Sequence, residues 1–441
     1  MKKTFTFFAI LTSLIVSAQL NPAITNWLVN TTNIMGRHYV SGNSTPINDA
    51  VLANVQTVQY NTNYVYVTAT GIPAYITGPF LDGNPSLATA QNKIFRITLN
   101  PTQNTGTPIS TTGGNIGIFK NGVALFDYRD GVSYKNSTGA EAGGPIGGTG
   151  DGIWNRDAVV AERVGFDCSK AHPAQGNYHH HQNPSAFSLD LQVLSTICNT
   201  YPSDGLYVIN PSQHSPLLGY AYDGFPIYGA YGYANADGTG GVVRIKSGYQ
   251  LRNITVRTHY ADGTDVTDGP VVNATYPLGR YREDYEWISH TGDESYLDAH
   301  NGRFCVTPEY PNGIYCYFTT VDANHNSAYP YAVGPYFYGV KNNTTGGTVT
   351  TVPAGTTTLS SNTFENNNFD ITIAPNPASE FIAIQSKITE NDLEVELVNE
   401  LGQIIKKSKI LQGSTLSIIE TDTIYNGIYF IKIYNKNNSK S

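Results

Sequence analysis

Period-two alternation, interrupted at short intervals by Asn, Gly and Pro, is the feature that most limits how this chain can fold. Residues 51–60 and 64–70 alternate around Asn61-Thr62-Asn63, and residues 116–119 and 123–126 flank Lys120-Asn121-Gly122. Asn-Gly supplies the positive φ angles of a tight hairpin turn. Residues 93–99 and 251–260 alternate as further strands, and residues 304–306 and 314–320 frame a second hairpin. Residues 329–338 carry too much proline for a central strand and predict an edge or extended segment. Helical signal is confined to residues 154–164, with Asp151 as a cap, and to the short mixed stretch 281–290. The chain is therefore expected to be mainly β. Its 43 glycines, 23 prolines and 31 tyrosines, with only 14% charged residues, suit short strands and turns.

The N-terminus sets the compartment. Lys2 and Lys3 precede an apolar run over residues 5–16 and then Ser17-Ala18-Gln19. This is a basic region, a hydrophobic stretch too short to span a bilayer, and a small-residue cleavage site, so residues 1–18 read as a signal peptide. No later stretch is apolar enough to cross a membrane, and no transmembrane segment is expected after signal removal. A formal charge of −8 without a basic run excludes nucleic acid as a natural partner. Export makes the four cysteines candidates for two disulfides, for which the local pairing Cys168–Cys198 and Cys305–Cys316 is expected. Composition shifts near residue 341 to Thr, Gly, Asn and Ser. It divides the chain into a large β-rich domain (19–345), a linker (346–368) and a small separate β domain (369–441).

Chemistry concentrates in one stretch. His172, His179, His180 and His181 fall within ten residues, beside Asp167, Cys168 and Tyr178. In a strand, residues two apart share a face at about 6–7 Å, so His179 and His181 project together while Tyr178 and His180 face the other way. Two imidazoles on one face are a natural pair of ligands for copper or zinc. His172 could fold back over them through the Gln175-Gly176-Asn177 turn, and His300 is the distant candidate. Asp167 and Asp298 are placed to orient a ligand imidazole. Asp223, in Tyr222-Asp223-Gly224, reads more readily as a turn residue than as a base. The glycine loop 143–152 lacks the spacing and the lysine of a phosphate site, and no nucleophile elbow is present.

Four blocks in order resemble the YHYH domain family of secreted proteins. These are GNYHHH, SPLLGYAYDGFPIYGAYGY, LDAHNGRFCVTPEYPNGIYCYF and YPYAVGPYFYG, spread over residues 150–339. The name motif falls on Tyr178-His179-His180-His181, with His180 where the family has tyrosine. The resemblance implies that His179, His181, Asp223 and the His300-Asn301-Gly302-Arg303 block belong to one site, and it supplies no reaction. Ile373-Ala374-Pro375-Asn376-Pro377-Ala378-Ser379, with residues 395–402 and Asn426-Gly427-Ile428-Tyr429, resembles the type A sorting domain of the type IX secretion system. That resemblance implies a small C-terminal β-sandwich, the type IX machinery as partner, and secretion or display at the cell surface. Two functions are expected from the whole. The first is a copper- or zinc-binding protein using His172, His179, His181 and His300, with Tyr178, Asp167, Asp223 and Asp298 around them. The alternative is a glycan- or surface-binding module in which the histidines are structural.

Overall fold

The computed structural model describes residues 20–435, apart from 83–85, 112, 145–148, 343–345, 360–370, 376–377, 379, 387–388, 390, 400–403, 425–426 and 428. The expected signal peptide and its cleavage point lie outside these residues, as do parts of the glycine loop and of the sorting motif. The chain divides into two compact units, Met1–Leu359 and Ser360–Ser441. Among the described residues no helix is long and apolar enough to cross a membrane.

In the first unit the Asn61 turn forms as its sequence suggests. The Asn61 side chain accepts from the amides of Asn63 and Tyr64, closing a hairpin between Val55–Tyr60 and Tyr64–Ala69. Alternation buries Val55, Val58, Val65 and Val67 on one face. Lys93–Thr98 pairs on the far side of Tyr64–Ala69.

Part of the stretch 346–368, expected as linker, is strand, and residues 360–368 lie outside the described residues. Gly346–Val349 pairs with Lys93–Thr98, and Thr357–Thr358 pairs with Val55–Tyr60, completing a five-stranded sheet. These segments carry few apolar side chains and are held as edge strands by main-chain hydrogen bonds, which composition does not report.

An eight-stranded sheet forms the centre of the unit. In chain order its strands are β1 (Asn115–Phe119), β2 (Ala124–Phe126), β3 (Ala171–Ala174), β4 (Asn177–His180), β5 (Leu217–Ala221), β6 (Pro226–Tyr228), β7 (Gly302–Cys305) and β8 (Ile314–Phe318). Their spatial order is β3-β4-β2-β1-β5-β6-β8-β7. The Asn121-Gly122 turn joins β1 to β2, with Gly122 at φ +84° and the Asn121 side chain accepting from the Val123 amide. Ile116, Ile118, Leu125, Tyr220, Ile227 and Tyr317 lie in the main core with the valines of the five-stranded sheet.

Three expectations are corrected here. The helix is α1, Ala158–Glu162, capped by Asp157 rather than Asp151. It starts late because Asn155–Asp157 is taken into a strand pair with Arg129–Lys135. Residues 251–260 are not a strand beyond Leu251, because Arg252 and Arg257 turn inward to ion-pair and to cap carbonyls. Residues 281–290 give a 3₁₀ turn, Arg282–Asp284, and then a strand, Tyr285–Trp287.

Cys168–Cys198 is a disulfide, whereas Cys305 and Cys316 are free and buried. In the β7–β8 register Cys305 opposes Ile314 and Cys316 opposes Arg303. The two cysteines are thus diagonal neighbours offset by two residues on one face of the strand pair, their thiols in contact but not bonded.

In the second unit Thr372–Ala374, Phe381–Gln385 and Leu416–Glu420 make one three-stranded sheet, and Ile404–Ile410, Leu393–Asn399 and Tyr429–Asn435 make another. Ile384 and Ile419 of the first share one core with Leu393, Val395, Leu397 and Ile410 of the second. Two sheets enclosing one apolar layer make a small β-sandwich.

Candidate metal centre

The histidine stretch folds into the β3–β4 hairpin at one edge of the central sheet. Its two-residue turn, Gln175-Gly176, has φ of 50° and 81°, the geometry that matches strand twist. The register sets His172 opposite His179, and β4 runs parallel to β2. Alternation then separates two faces.

On one face stand His172, His179 and His181, each with a ring nitrogen within 4.8 Å of the others. All three are buried. Nδ1 of His179 lies 2.8 Å from the Asn177 carbonyl and Nδ1 of His181 lies 2.6 Å from the Asp127 carbonyl. A carbonyl only accepts, so both Nδ1 atoms carry a hydrogen, and His179, kept neutral, presents its Nε2 lone pair. Those Nε2 atoms are 3.1 Å apart. Phe126 stacks on His179 at 3.8 Å, and Phe166 meets His172 edge-on at 4.9 Å.

Two carboxylates complete this face. Glu162, the last residue of α1, places Oε2 3.1 Å from Nε2 of His172 and 3.3 Å from Nε2 of His181. That buried oxygen nevertheless has no partner in hydrogen-bond geometry. Asp82 places Oδ2 3.5 Å from Nδ1 of His172. It reaches there because Gly165 has no side chain; a Cβ at that position would come within 2.3 Å of the Asp82 Cβ. Electrostatics follow the geometry. Burial, then the neighbouring His181 and His172, push His179 well below the usual imidazole range and keep it neutral. Burial also pulls on His172, but Asp82 and Glu162 outweigh it and raise that imidazole to about 9. Burial alone would raise Glu162, yet His172 and His181 prevail and hold it well below the usual carboxylate range.

The opposite face is a hydrogen-bonded core. Tyr178 donates to Asp167 at 2.8 Å, and Asp167 also accepts from the Gly78, Ser169 and Ala171 amides. His180 meets the Tyr75 hydroxyl at 2.7 Å, packed beside Phe119 and Tyr178. Asp167 and Tyr178 therefore bond to each other and to the turn before β3, and no contact joins them to the three imidazoles.

His300, Asp298 and Asp223 lie elsewhere. His300 precedes β7, six strand-to-strand steps from β4 in the sheet, and its Nδ1 bonds the Tyr336 carbonyl. Asp298 accepts from the His300 and Gly302 amides and from Tyr315. Asp223 accepts from Tyr317 and from the Phe225 and Gly339 amides. The structure brings His172, His179 and His181 together and leaves His300 out of the group. Glu162 and Asp82 belong to it without having been singled out in sequence. Their separations from the hairpin fit no ligand spacing, and only the predicted helix over 154–164 hinted that Glu162 has a fixed place.

Fold and site together define a mainly β protein organised around a buried, histidine-bearing hairpin at a sheet edge. Residues 94–329, more than half of the chain, match the family described as YHYH protein, and the chain belongs to it. Residues 372–441 match the secretion system C-terminal sorting domain, so the protein is exported through the type IX machinery to the cell surface or beyond. Comparisons with curated proteins and with solved structures return no match.

Proposed function

We propose that this exported protein is a metal-binding protein whose centre is formed by His172, His179 and His181, with Glu162 as a fourth ligand. The observation that carries the reading is the convergence of ligand atoms. Two imidazoles oriented by main-chain carbonyls bring their Nε2 atoms within 3.1 Å of one another, and the buried Glu162 carboxylate lies 3.1 and 3.3 Å from His172 and His181. A cation between these atoms takes them all as ligands. The carbonyl-bound Nδ1 atoms and the carboxylate behind His172 are the outer contacts that orient ligand imidazoles.

Copper and zinc are the metals that nitrogen donors favour, and the three histidine nitrogens lie within 4.8 Å of one another. In the absence of metal, the proton on His172 and the ionised Glu162 balance each other, and metal binding releases that proton.

Elemental analysis of the full exported chain tests this directly. About one equivalent of zinc or copper is expected, lost in a folded His179→Ala/His181→Ala variant. Absence of metal from both proteins after reconstitution would remove the proposal.

A further inference from the structure

Beside α1 lies a cleft of ≈ 680 Å³, within the size range of small-ligand sites. Val159, Val160 and Arg163 of α1 line it, whereas Glu162 of the same helix serves the histidines. Three polar groups on its wall have no hydrogen-bond partner: Nε2 of Gln182, Oδ2 of Asp190 and Oγ of Ser327. Gln182 and Asp190 are 2% and 4% exposed. Together they offer a donor, an acceptor and a hydroxyl that serves as either. Buried polar atoms are ordinarily paired, and three orphans on one wall mark a place where a ligand supplies the partners.

The other walls narrow the class. Tyr249, Tyr285 and Tyr331 contribute rings, the amphipathic surface on which the C–H face of a sugar stacks while its hydroxyls turn to polar groups. Three cations also line the cleft, Arg163, Arg244 and Lys246, of which Lys246 pairs with Asp293; the Asp322 carboxylate on the same lining accepts from the Asn324 and Asn326 amides. Arg244 donates to the Val321 carbonyl, and among the described residues neither arginine has a carboxylate partner, although the chain as a whole is acidic. Asp190 adds no free attraction for cations, since the buried Lys170 ammonium pairs with its other oxygen at 2.5 Å. A planar guanidinium is the group best shaped to hold a carboxylate.

We propose that this cleft binds an acidic saccharide, its hydroxyls meeting Gln182, Asp190 and Ser327 and its carboxylates meeting Arg163 and Arg244. The cleft adjoins the histidine group, since Gln182 follows His181 and Arg163 follows Glu162, but the two sites use different side chains.

The test is calorimetric titration of the full chain, in the presence of a chelator, with tetragalacturonate and with uncharged cellotetraose. Tetragalacturonate is expected to bind with a dissociation constant below about 1 mM, with cellotetraose at least about tenfold weaker. The Arg244→Ala and Gln182→Leu variants, both folded by near-ultraviolet circular dichroism, are each expected to lose at least about tenfold in affinity. Failure of both sugars to bind at that concentration overturns the site, as does binding that neither variant weakens. Equal affinity for the two sugars overturns the acidic class. Metal content of the same samples, measured before chelation, separates failure of this site from failure of the metal centre.

Discussion

Nε2 of His179 and Nε2 of His181 face one another at 3.1 Å, and each ring is fixed from behind by a main-chain carbonyl. Neither imidazole can turn its protonated nitrogen toward the other without giving up that bond in a buried setting. Backbone geometry thus holds the two Nε2 atoms toward each other, with His172 and Glu162 close by. Under the proposed metal-binding reading, this arrangement is preorganised for a cation.

Glu162 and Asp82 should differ in their effect on metal affinity. Glu162→Gln keeps the shape and removes the charge nearest two imidazoles, whereas Asp82→Asn alters only what lies behind His172. Loss of an outer contact of this kind costs about 10–100-fold in affinity, and the loss in Glu162→Gln should exceed it. Competition against a chromophoric chelator measures both. Unchanged affinity in Glu162→Gln would take that carboxylate out of the coordination sphere.

The Cys168–Cys198 bridge is expected to hold the hairpin as well as the fold. Cys168 lies four residues before His172, and the bridge closes a separation of 30 residues. Chain-entropy arguments place its contribution at about 3–4 kcal/mol. A Cys168→Ser/Cys198→Ser protein should melt at lower temperature and bind metal more weakly. In the native wild type, thiol reagents should find no fast-reacting group; in denaturant they should find two, Cys305 and Cys316. Four reactive thiols, or none, would contradict the assignment.

The strands were legible wherever a local rule acts alone. Asn61-Thr62-Asn63 and Asn121-Gly122 announce hairpins because turn chemistry is encoded within a few residues. The His179/His181 pairing was equally readable, since the period of a strand is two. What could not be read is anything set by distant chain. Glu162 and Asp82 reach the histidines through α1 and through the close approach at Gly165. Gly346–Val349 becomes a strand only because Lys93–Thr98 offers it an edge. Cys305 and Cys316 stand two residues out of direct opposition and remain free thiols, a matter of register that spacing cannot resolve.

Asp223 should make stability depend on pH. Burial pushes its carboxyl up to about 6, against the hydrogen bonds from Tyr317, Gly339 and Phe225 that favour the charged form. The folded state therefore holds a proton that the unfolded chain has released. Its stabilisation is complete below about pH 4, falls as pH rises toward 6, and is gone above that value. The effect is on the order of 3 kcal/mol over that window. Denaturant midpoints of wild type and Asp223→Asn, compared from pH 4 to 7.5, should shift apart as pH rises, with wild type losing stability relative to the variant, because only the wild-type side chain titrates. Parallel curves would place the Asp223 carboxyl in its ordinary range.

Arg257 gives the sharpest stability test. Residues 251–260 alternate like a strand, yet the structure uses Arg257 as an internal strut. Its Nε and Nη2 meet the two oxygens of Asp284 at 2.6 and 2.9 Å, with both side chains fully buried. Its other donors reach the carbonyls of Pro270, Tyr276 and Pro277, and Asp284 also accepts from the Gly279 and Tyr281 amides. Replacing Arg257 with Met leaves a buried carboxylate without its cation and should cost about 3–5 kcal/mol. Lysine restores the charge but cannot span both oxygens or hold three carbonyls, so Arg257→Lys should recover only part of the loss. Arg257→Met/Asp284→Asn should be more stable than Arg257→Met alone, because the stranded charge is then gone. Equilibrium unfolding of the four proteins decides the matter. If the double variant is no better than Arg257→Met, the cost lies in the lost carbonyl contacts rather than in the unpaired charge.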